Sequence, residues 1–175
     1  RQEKLARIEP TLEKWERMIN TVKQIRQALS ARQTPEEGVD AARLVSDVVA
    51  ASQSRHPTAT VESIVPEMGP TPVPSRLQNA LQELVDNAVQ AGGSDTHVKV
   101  VPSRPDTDWV RIEVSDNGPG LPEMEAKVLE TGEETQLDHG GGLGLWMVRM
   151  LVTGAGGDIS VDATPEGTSV CLRLP

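Results

Sequence analysis

Two neighbouring segments with alternating apolar and polar residues, THVKVVPSR (96–104) and DWVRIEVSD (108–116), constrain the fold most strongly. Alternation with a period of two predicts strands with one buried face, and the short connection predicts that these two strands pair. DISVDA and TSVCLRL, around the turn TPEG, predict a closing hairpin. ATVESIV, earlier in the chain, alternates in the same way. The sequence therefore predicts a mostly antiparallel sheet.

Three further segments have helical patterns. Asp40 is a suitable N-cap for AARLVSDVVAAS. Pro74 suits the first turn of the long segment PSRLQNALQELVDNAVQAGG, whose final glycines stop it. GLGLWMVRMLVTGAGG returns to helix and also ends on glycines. Helices combined with a mostly antiparallel sheet indicate a layered α+β domain.

Composition limits the core and the possible partners. The 175 residues include no Phe, no Tyr and three Trp, so the core is expected to be aliphatic. A net charge of −9 argues against nucleic-acid binding, which favours a basic surface. The single cysteine, Cys171, excludes an internal disulfide and a zinc cluster, and its apolar neighbours predict a buried strand residue. No apolar run reaches the ~18 residues that a membrane span needs.

The first 30 residues carry apolar side chains at alternating steps of three and four. This spacing is typical of a coiled-coil or bundle helix, and it predicts half of a dimer; a surface helix packed on its own domain is the alternative. Ser30 to Gly38 is interpreted as a linker. The residues of the repeat are Leu5, Ile8, Leu12, Trp15, Ile19, Val22 and Leu29.

Glu83 and Asn87 stand four residues apart on one face of the long predicted helix. A polar face in solvent is the default interpretation of these two residues at this point. The functional alternative is a magnesium site, because Mg²⁺ binds oxygen ligands and is usually held by one or two protein groups plus substrate phosphates. Asn87 would supply the ligand, and Glu83 would orient or deprotonate a water.

HGGGLGLW (139–146) places four glycines before and within a helix start. Glycine destabilises a helix by ~1 kcal/mol relative to alanine, so the run calls for a reason. Close approach of a phosphate to backbone N–H groups is one reason, and a flexible hinge is the other. The run matches neither the P-loop pattern nor the dinucleotide-binding pattern.

DNGPGLP (116–122) follows directly on a predicted strand. The segment either forms a simple turn between strands or directs the carboxylate of Asp116 at a ligand. A polar, poorly periodic segment follows it, and its length indicates a functional or mobile connection.

Taken in order, these motifs resemble the ATP-binding domain of the GHKL superfamily, which includes sensor histidine kinases, gyrase-type topoisomerases, ninety-kilodalton heat-shock chaperones and mismatch-repair proteins. Sensor histidine kinases fit best, and GEETQLDHGGGLGLW is similar to kinases of salt-loving archaea. The resemblance implies a Bergerat-type two-layer α/β sandwich with helices on one face of a mixed sheet. It implies a partial dimerisation-bundle helix over 1–33, a linker over 34–39 and the catalytic domain over 40–175.

The resemblance also implies a role for each matching residue. Asn87 would bind Mg²⁺, and Asp116 would accept a hydrogen bond from the adenine amino group, supported by Thr168. Gly118 and Gly120 would let the chain pass close to the purine, and the lid segment, Leu121 to His139, would cover ATP. The residues that would surround the phosphates are Gly140, Gly142, Leu143, Gly144 and Leu145.

The sequence departs from the kinase pattern in several places. Many kinases have Asn where this chain has Glu83, whereas the hydrolysing relatives use Glu there as a general base. Gln90 stands where many kinases have a basic residue, and the phenylalanine of their lid is missing. None of His56, His97 and His139 is a convincing phosphoacceptor, so the acceptor is expected to precede Arg1.

The implied function is that of a protein histidine kinase. It would transfer the γ-phosphoryl group of ATP, with Mg²⁺, to a histidine outside this chain and then to a response-regulator receiver domain. A homodimer through the N-terminal helix and a cytoplasmic location of this part of the protein are also implied. Two alternatives stay open: a GHKL ATPase that hydrolyses ATP with Glu83, and a dimerisation and docking module that binds no nucleotide.

Overall fold

The computed structural model describes residues 38–106, 108–132 and 142–175, together with Ile19, Val22 and Lys23, which are helical. The predicted bundle helix otherwise lies outside the described residues. So do most of the linker, the second half of the lid segment and Gly140.

The described ranges from Gly38 onward contain four α-helices, a short 3₁₀ helix (Gly93–Asp95) and seven strands. The helices are α1 (Ala41–Arg55), α2 (Leu77–Gly92), α3 (Glu123–Thr131) and α4 (Gly142–Gly154). The first three strands are β1 (Gly38–Asp40), β2 (Thr60–Ser63) and β3 (Pro72–Pro74). The others are β4 (His97–Ser103), β5 (Val110–Asp116), β6 (Asp158–Thr164) and β7 (Gly167–Leu174).

Five strands form one mixed sheet in the order β2-β4-β5-β7-β6. Strands β2 and β4 are parallel, and every other neighbouring pair is antiparallel. Val100, Val114, Val170 and Val161 lie side by side across four strands. The alternating pattern therefore gives one sheet face that packs on the helices and one polar face, as predicted for a two-layer α+β fold.

The core between sheet and helices is aliphatic, as the composition predicts. The buried hydrophobic residues that the structure describes are all Ala, Val, Leu, Ile or Met. The largest side chains with no exposed surface include Leu77 and Leu81 of α2, Ile112 of β5, Leu129 of α3 and Met147 of α4. One continuous core thus holds the helices that border the candidate site.

Asp40 fixes the start of the domain. Its Oδ1 accepts hydrogen bonds from the backbone N–H groups of Ala42 (3.1 Å) and Arg43 (3.3 Å), which confirms the predicted N-cap of α1. Its Oδ2 accepts from Thr71 N at 3.0 Å. These bonds, that from Thr71 above all, lower the pKa of the Asp40 carboxyl. The small sheet that β1 forms with β3 lies beside this contact.

The structure corrects three predictions. Pro74 ends β3 instead of opening α2, because Ser75 and Arg76 form a turn before the helix begins. Cys171 is only half-buried, since the alternation of β7 turns its neighbours Val170 and Leu172 into the core. The first part of the lid segment is a helix, α3, where no regular structure was predicted.

No helix within the described ranges is both long and apolar enough to cross a membrane.

Candidate functional site

A cavity of about 440 Å³ opens between α2, α3 and the adjoining ends of β5 and β7. Asp116 and Thr168 lie at the sheet side, Asn87 on α2, and Glu125 on α3. The other lining residues are Leu84, Ala88, Gln90, Ala91, Val114, Pro119, Gly120, Leu121, Pro122, Leu129, Leu145 and Val170. The lining residues in the described ranges include two carboxylates and no Lys, Arg or His. The cavity is thus an apolar cleft with a few polar groups, which is the usual character of a small-molecule site.

Asp116 and Thr168 are direct partners at one end of the cavity. They are paired residues of β5 and β7, and Thr168 donates both backbone and side-chain hydrogen bonds to the Asp116 carboxylate. Gly118 N donates a third bond to Asp116 Oδ1, at 2.8 Å. Burial raises the pKa of Asp116, and these bonds only partly offset it. The carboxylate is therefore held in a fixed orientation beside the cavity.

The turn after Asp116 needs its glycines for contacts within the protein. A β-carbon on Gly118 would lie 2.8 Å from Asp116 Oδ1. Gly120 has φ +86°, and a β-carbon there would overlap the carbonyl oxygen of Thr164 in β6. The structure thus packs this turn against the β6–β7 hairpin. Of the two glycines, Gly120 also lines the cavity.

Asn87 carries an unpaired polar atom. Its Nδ2 is buried and has no hydrogen-bond partner in the described part of the chain. A buried amide without a partner is costly, and a half-turn of the group would place its oxygen in the same position. Asn87 therefore fits a ligand that supplies what the protein does not, such as a phosphate with its metal ion.

Glu83 lies one turn from Asn87 on α2 but does not line the cavity. Its carboxylate occupies the space that a β-carbon at Gly144 would need, in the first turn of α4. Of the predicted phosphate loop, Gly142, Leu143, Gly144 and Leu145 begin α4, and Leu145 is buried and lines the cavity. The structure thus brings Asn87, Asp116, Thr168, Gly120 and Leu145 to one cavity and places Glu83 beside the helix start.

A family model described as histidine kinase-, DNA gyrase B- and HSP90-like ATPase matches residues 73–175, more than half of the chain. This range contains α2, the cavity and all of the strands that carry its lining. The chain belongs to this ATPase family.

Two relatives of this chain are sensor kinases of bacteria. The sensor histidine kinase RcsC of Escherichia coli K12 is 36% identical over 109 residues, covering 58% of this chain and 11% of its own length. The histidine-protein kinase AfsQ2 of Streptomyces coelicolor is 37% identical over 108 residues, covering 58% and 20%. The chain thus spans a fifth or less of these two relatives.

A solved structure of the mycobacterial sensor histidine kinase MprB has the same fold. Its TM-score is 0.64 at 26% identity, and the match covers 79% of this chain and 97% of that one. The likeness supports the α+β assignment of this ATPase-family domain and its place among sensor histidine kinases.

Glu125 on α3 is a polar residue of the cavity that the sequence alone did not indicate. The signals of this helix were present: Pro122 precedes it, two glutamates occupy its first turn, and Gly132 ends it in a left-handed conformation with φ 74°. Its apolar residues were too few to give a clear period. Val128 and Leu129 alone are buried along its length.

Proposed function

We propose that this chain is the ATP-binding catalytic portion of a two-component sensor kinase and that it transfers the γ-phosphoryl group of ATP to a histidine outside this chain. The observation that carries the proposal is the oriented Asp116 carboxylate, held by Thr168 and Gly118 at the end of a cavity of about 440 Å³. Such a carboxylate suits the amino group of adenine, because an ionised carboxylate is only an acceptor.

The phosphates would lie toward Asn87 and the start of α4. Helix N-termini favour phosphate, since their N–H groups are unpaired and the helix dipole is positive there. Asn87 would hold Mg²⁺, which when bound offsets the charge of the phosphates. This assignment is supported by the unpaired Nδ2 of Asn87 and by the lack of basic residues among the described cavity lining.

In this scheme the protein mainly positions the nucleotide. Asp116 would fix the adenine, Leu145 and Val170 would pack against apolar parts of the ligand, and Gly142 to Leu145 would offer backbone N–H groups. Positioning and charge neutralisation are the main contributions of protein to phosphoryl transfer. We place Gly118 and Gly120 near the purine and Gly140 with the phosphate loop.

The wider assembly forms part of the same proposal. The N-terminal helix over 1–33 would dimerise, the linker over 34–39 would connect it, and 40–175 would be catalytic. Ile19 and Val22, two residues of the heptad repeat, are helical and expose 50% and 52% of their surface, which supports an apolar seam that a partner helix would cover. A response-regulator receiver domain would take the phosphoryl group, in the cytoplasm.

A second candidate is hydrolysis of ATP by the same site. The Glu83 carboxylate lies beside the start of α4, one turn from Asn87, where it would orient or deprotonate a water. If so, Glu83→Gln would abolish steady phosphate release while ATP binding persists. In a kinase, the same substitution would leave a slow background release almost unchanged.

The decisive test follows the γ-phosphoryl group in the intact protein that contains this chain. With γ-labelled ATP and Mg²⁺, the proposal predicts label on a histidine, through a bond that acid breaks and alkali leaves intact. Label recovered only as inorganic phosphate would contradict transfer and support the hydrolase. Failure to retain any nucleotide would support the docking module.

A further inference from the structure

We propose that Glu125 is a specificity-determining residue that binds the ribose hydroxyls of the nucleotide and so favours ribonucleotides over deoxyribonucleotides. The inference rests on the proposed ATP site and assigns the sugar-binding contact within it.

Glu125 is set apart from the other glutamates of α3 by its surroundings. Glu123 is exposed and pairs with Lys127 at 2.8 Å. Glu130 accepts a hydrogen bond from Val161 N, at 3.0 Å, on the edge strand β6. Glu125 instead lines the cavity and is half-buried, and its carboxylate forms no hydrogen bond or ion pair with any residue in the described ranges. Burial raises the pKa of its carboxyl, which agrees with a group lacking a partner.

The chemistry of ATP limits what an acceptor can bind. An ionised carboxylate accepts hydrogen bonds and donates none. The donors of ATP are the amino group of adenine and the two ribose hydroxyls, and Asp116 is assigned to the amino group. The phosphates are anionic and would repel Glu125. The ribose hydroxyls are therefore the remaining partners, and a carboxylate in that role is known from dinucleotide-binding folds.

The helix that carries Glu125 is anchored by buried side chains one turn further along, on the same face as Glu125. Val128 and Leu129 are buried in the core that α3 shares with α4. Arg149 on α4 donates from Nη1 to the carbonyl oxygen of Leu129, at 3.3 Å, and to Asp158 Oδ1, at 3.2 Å. With these contacts in place, α3 presents Glu125 to the cavity at a set position. A ligand that binds an acceptor already held in position loses less conformational entropy than one that must order a mobile acceptor.

The test compares ATP, 2′-deoxy-ATP and 3′-deoxy-ATP by calorimetric titration of the unchanged chain, Glu125→Ala and Glu125→Gln. We expect the unchanged chain to bind ATP about tenfold or more tightly than at least one deoxy analogue, the value of a hydrogen bond to a charged group. Glu125→Ala should bind all three equally. Glu123→Ala, which removes the same charge outside the cavity, should keep the preference.

Three results would overturn the proposal. The first is no ribose preference in the unchanged chain. The second is a Glu125→Ala variant that keeps the preference for ATP, including one that binds all three nucleotides more weakly by the same factor. The third is an effect of Glu125→Ala that disappears when EDTA replaces Mg²⁺, since Glu125 would then act on the metal. Binding of ATP that Asp116→Asn leaves unchanged would instead remove the adenine assignment, and with it the reason for placing Glu125 at the ribose.

Discussion

The carboxylate of Glu83 on α2 lies in the space that a side chain at Gly144 would fill, in the first turn of α4. Helices α2 and α4, which border the proposed nucleotide site, therefore pack closely where Glu83 meets Gly144. Helix starts favour anions, so the contact is electrostatically favourable in the free protein. A phosphate bound at this helix start would lie close to the Glu83 carboxylate and would be repelled by it, which links this pair to function.

Gly144→Ala should destabilise the fold, although alanine is the better helix former. Overpacking against Glu83 is expected to cost about 1–3 kcal/mol in the free energy of unfolding, measured with urea. Gly154→Ala is the matched control on the same helix, because the added carbon would meet nothing within 4 Å apart from the adjacent backbone of its own helix. The double variant Glu83→Ala/Gly144→Ala should recover most of the free energy of unfolding that Gly144→Ala loses. A Gly144→Ala variant as stable as the Gly154→Ala variant would contradict this packing.

Thr168→Val should weaken ATP binding while preserving the shape of the side chain. The substitution removes the hydroxyl donor to Asp116, and we expect about a fivefold loss, corresponding to ~1 kcal/mol for one hydrogen bond at a partly exposed site. Thr168→Ser should keep most of the affinity. Thr60→Val, at an exposed position of β2, controls for the change of residue type. Equal affinities of Thr168→Val and the unchanged chain, by titration, would show that Thr168 does not support Asp116.

The raised pKa of Asp116 predicts opposite pH effects on stability and binding. Ionisation of a carboxyl whose folded pKa lies above its unfolded value of 3.8 destabilises the fold, so stability from this group falls as pH rises through that interval. Adenine binding needs the ionised form and should weaken as pH falls through the same interval.

The substitution Asp116→Asn tests the direction of this pH effect on stability. It should be more stable than the unchanged chain at neutral pH, and the difference should shrink in acid, where both side chains are neutral. Urea unfolding at several pH values measures it. Asp162→Asn, at an exposed position on β6, is the charge control. A stability gain that grows as pH falls would contradict the direction of the shift.

Asp40→Ala should lower the free energy of unfolding by about 1 kcal/mol, the usual value of an N-cap, here that of α1. The loss also removes the acceptor of Thr71 N. The lowered pKa of Asp40 adds a pH effect of the other sign: its stabilisation is present above the ordinary value of 3.8 and disappears as pH falls through the lower folded pKa. Asp40→Asn should keep most of the cap. Thermal unfolding that does not separate the two variants would contradict the assignment.

Local patterns predicted most of the sheet and three of the helices. The strands β4 and β5 alternate clearly, and the apolar face of α2 was visible from Leu77, Leu81 and Leu84, all of which are buried. The position of Asp116 at a strand end before a glycine turn also singled out a site residue that lines the cavity.

Tertiary contacts decided what the sequence left open. Helix α3 is nine residues long, and a helix of this length depends on packing, here of Val128 and Leu129, more than on local propensity. The pairing of β1 with β3 joins distant parts of the chain. The place of Glu125 in the cavity follows from α3 and was missed with it. The similarity to kinases of salt-loving archaea stays a prediction.

The most direct test of adenine recognition by Asp116 is a calorimetric titration of this chain with ATP and Mg²⁺, beside Asp116→Asn. We expect saturable binding of one nucleotide per chain, lost in Asp116→Asn and retained in Asp162→Asn. No binding by the unchanged chain, or equal binding by Asp116→Asn, would contradict the claim that Asp116 recognises adenine in this cavity.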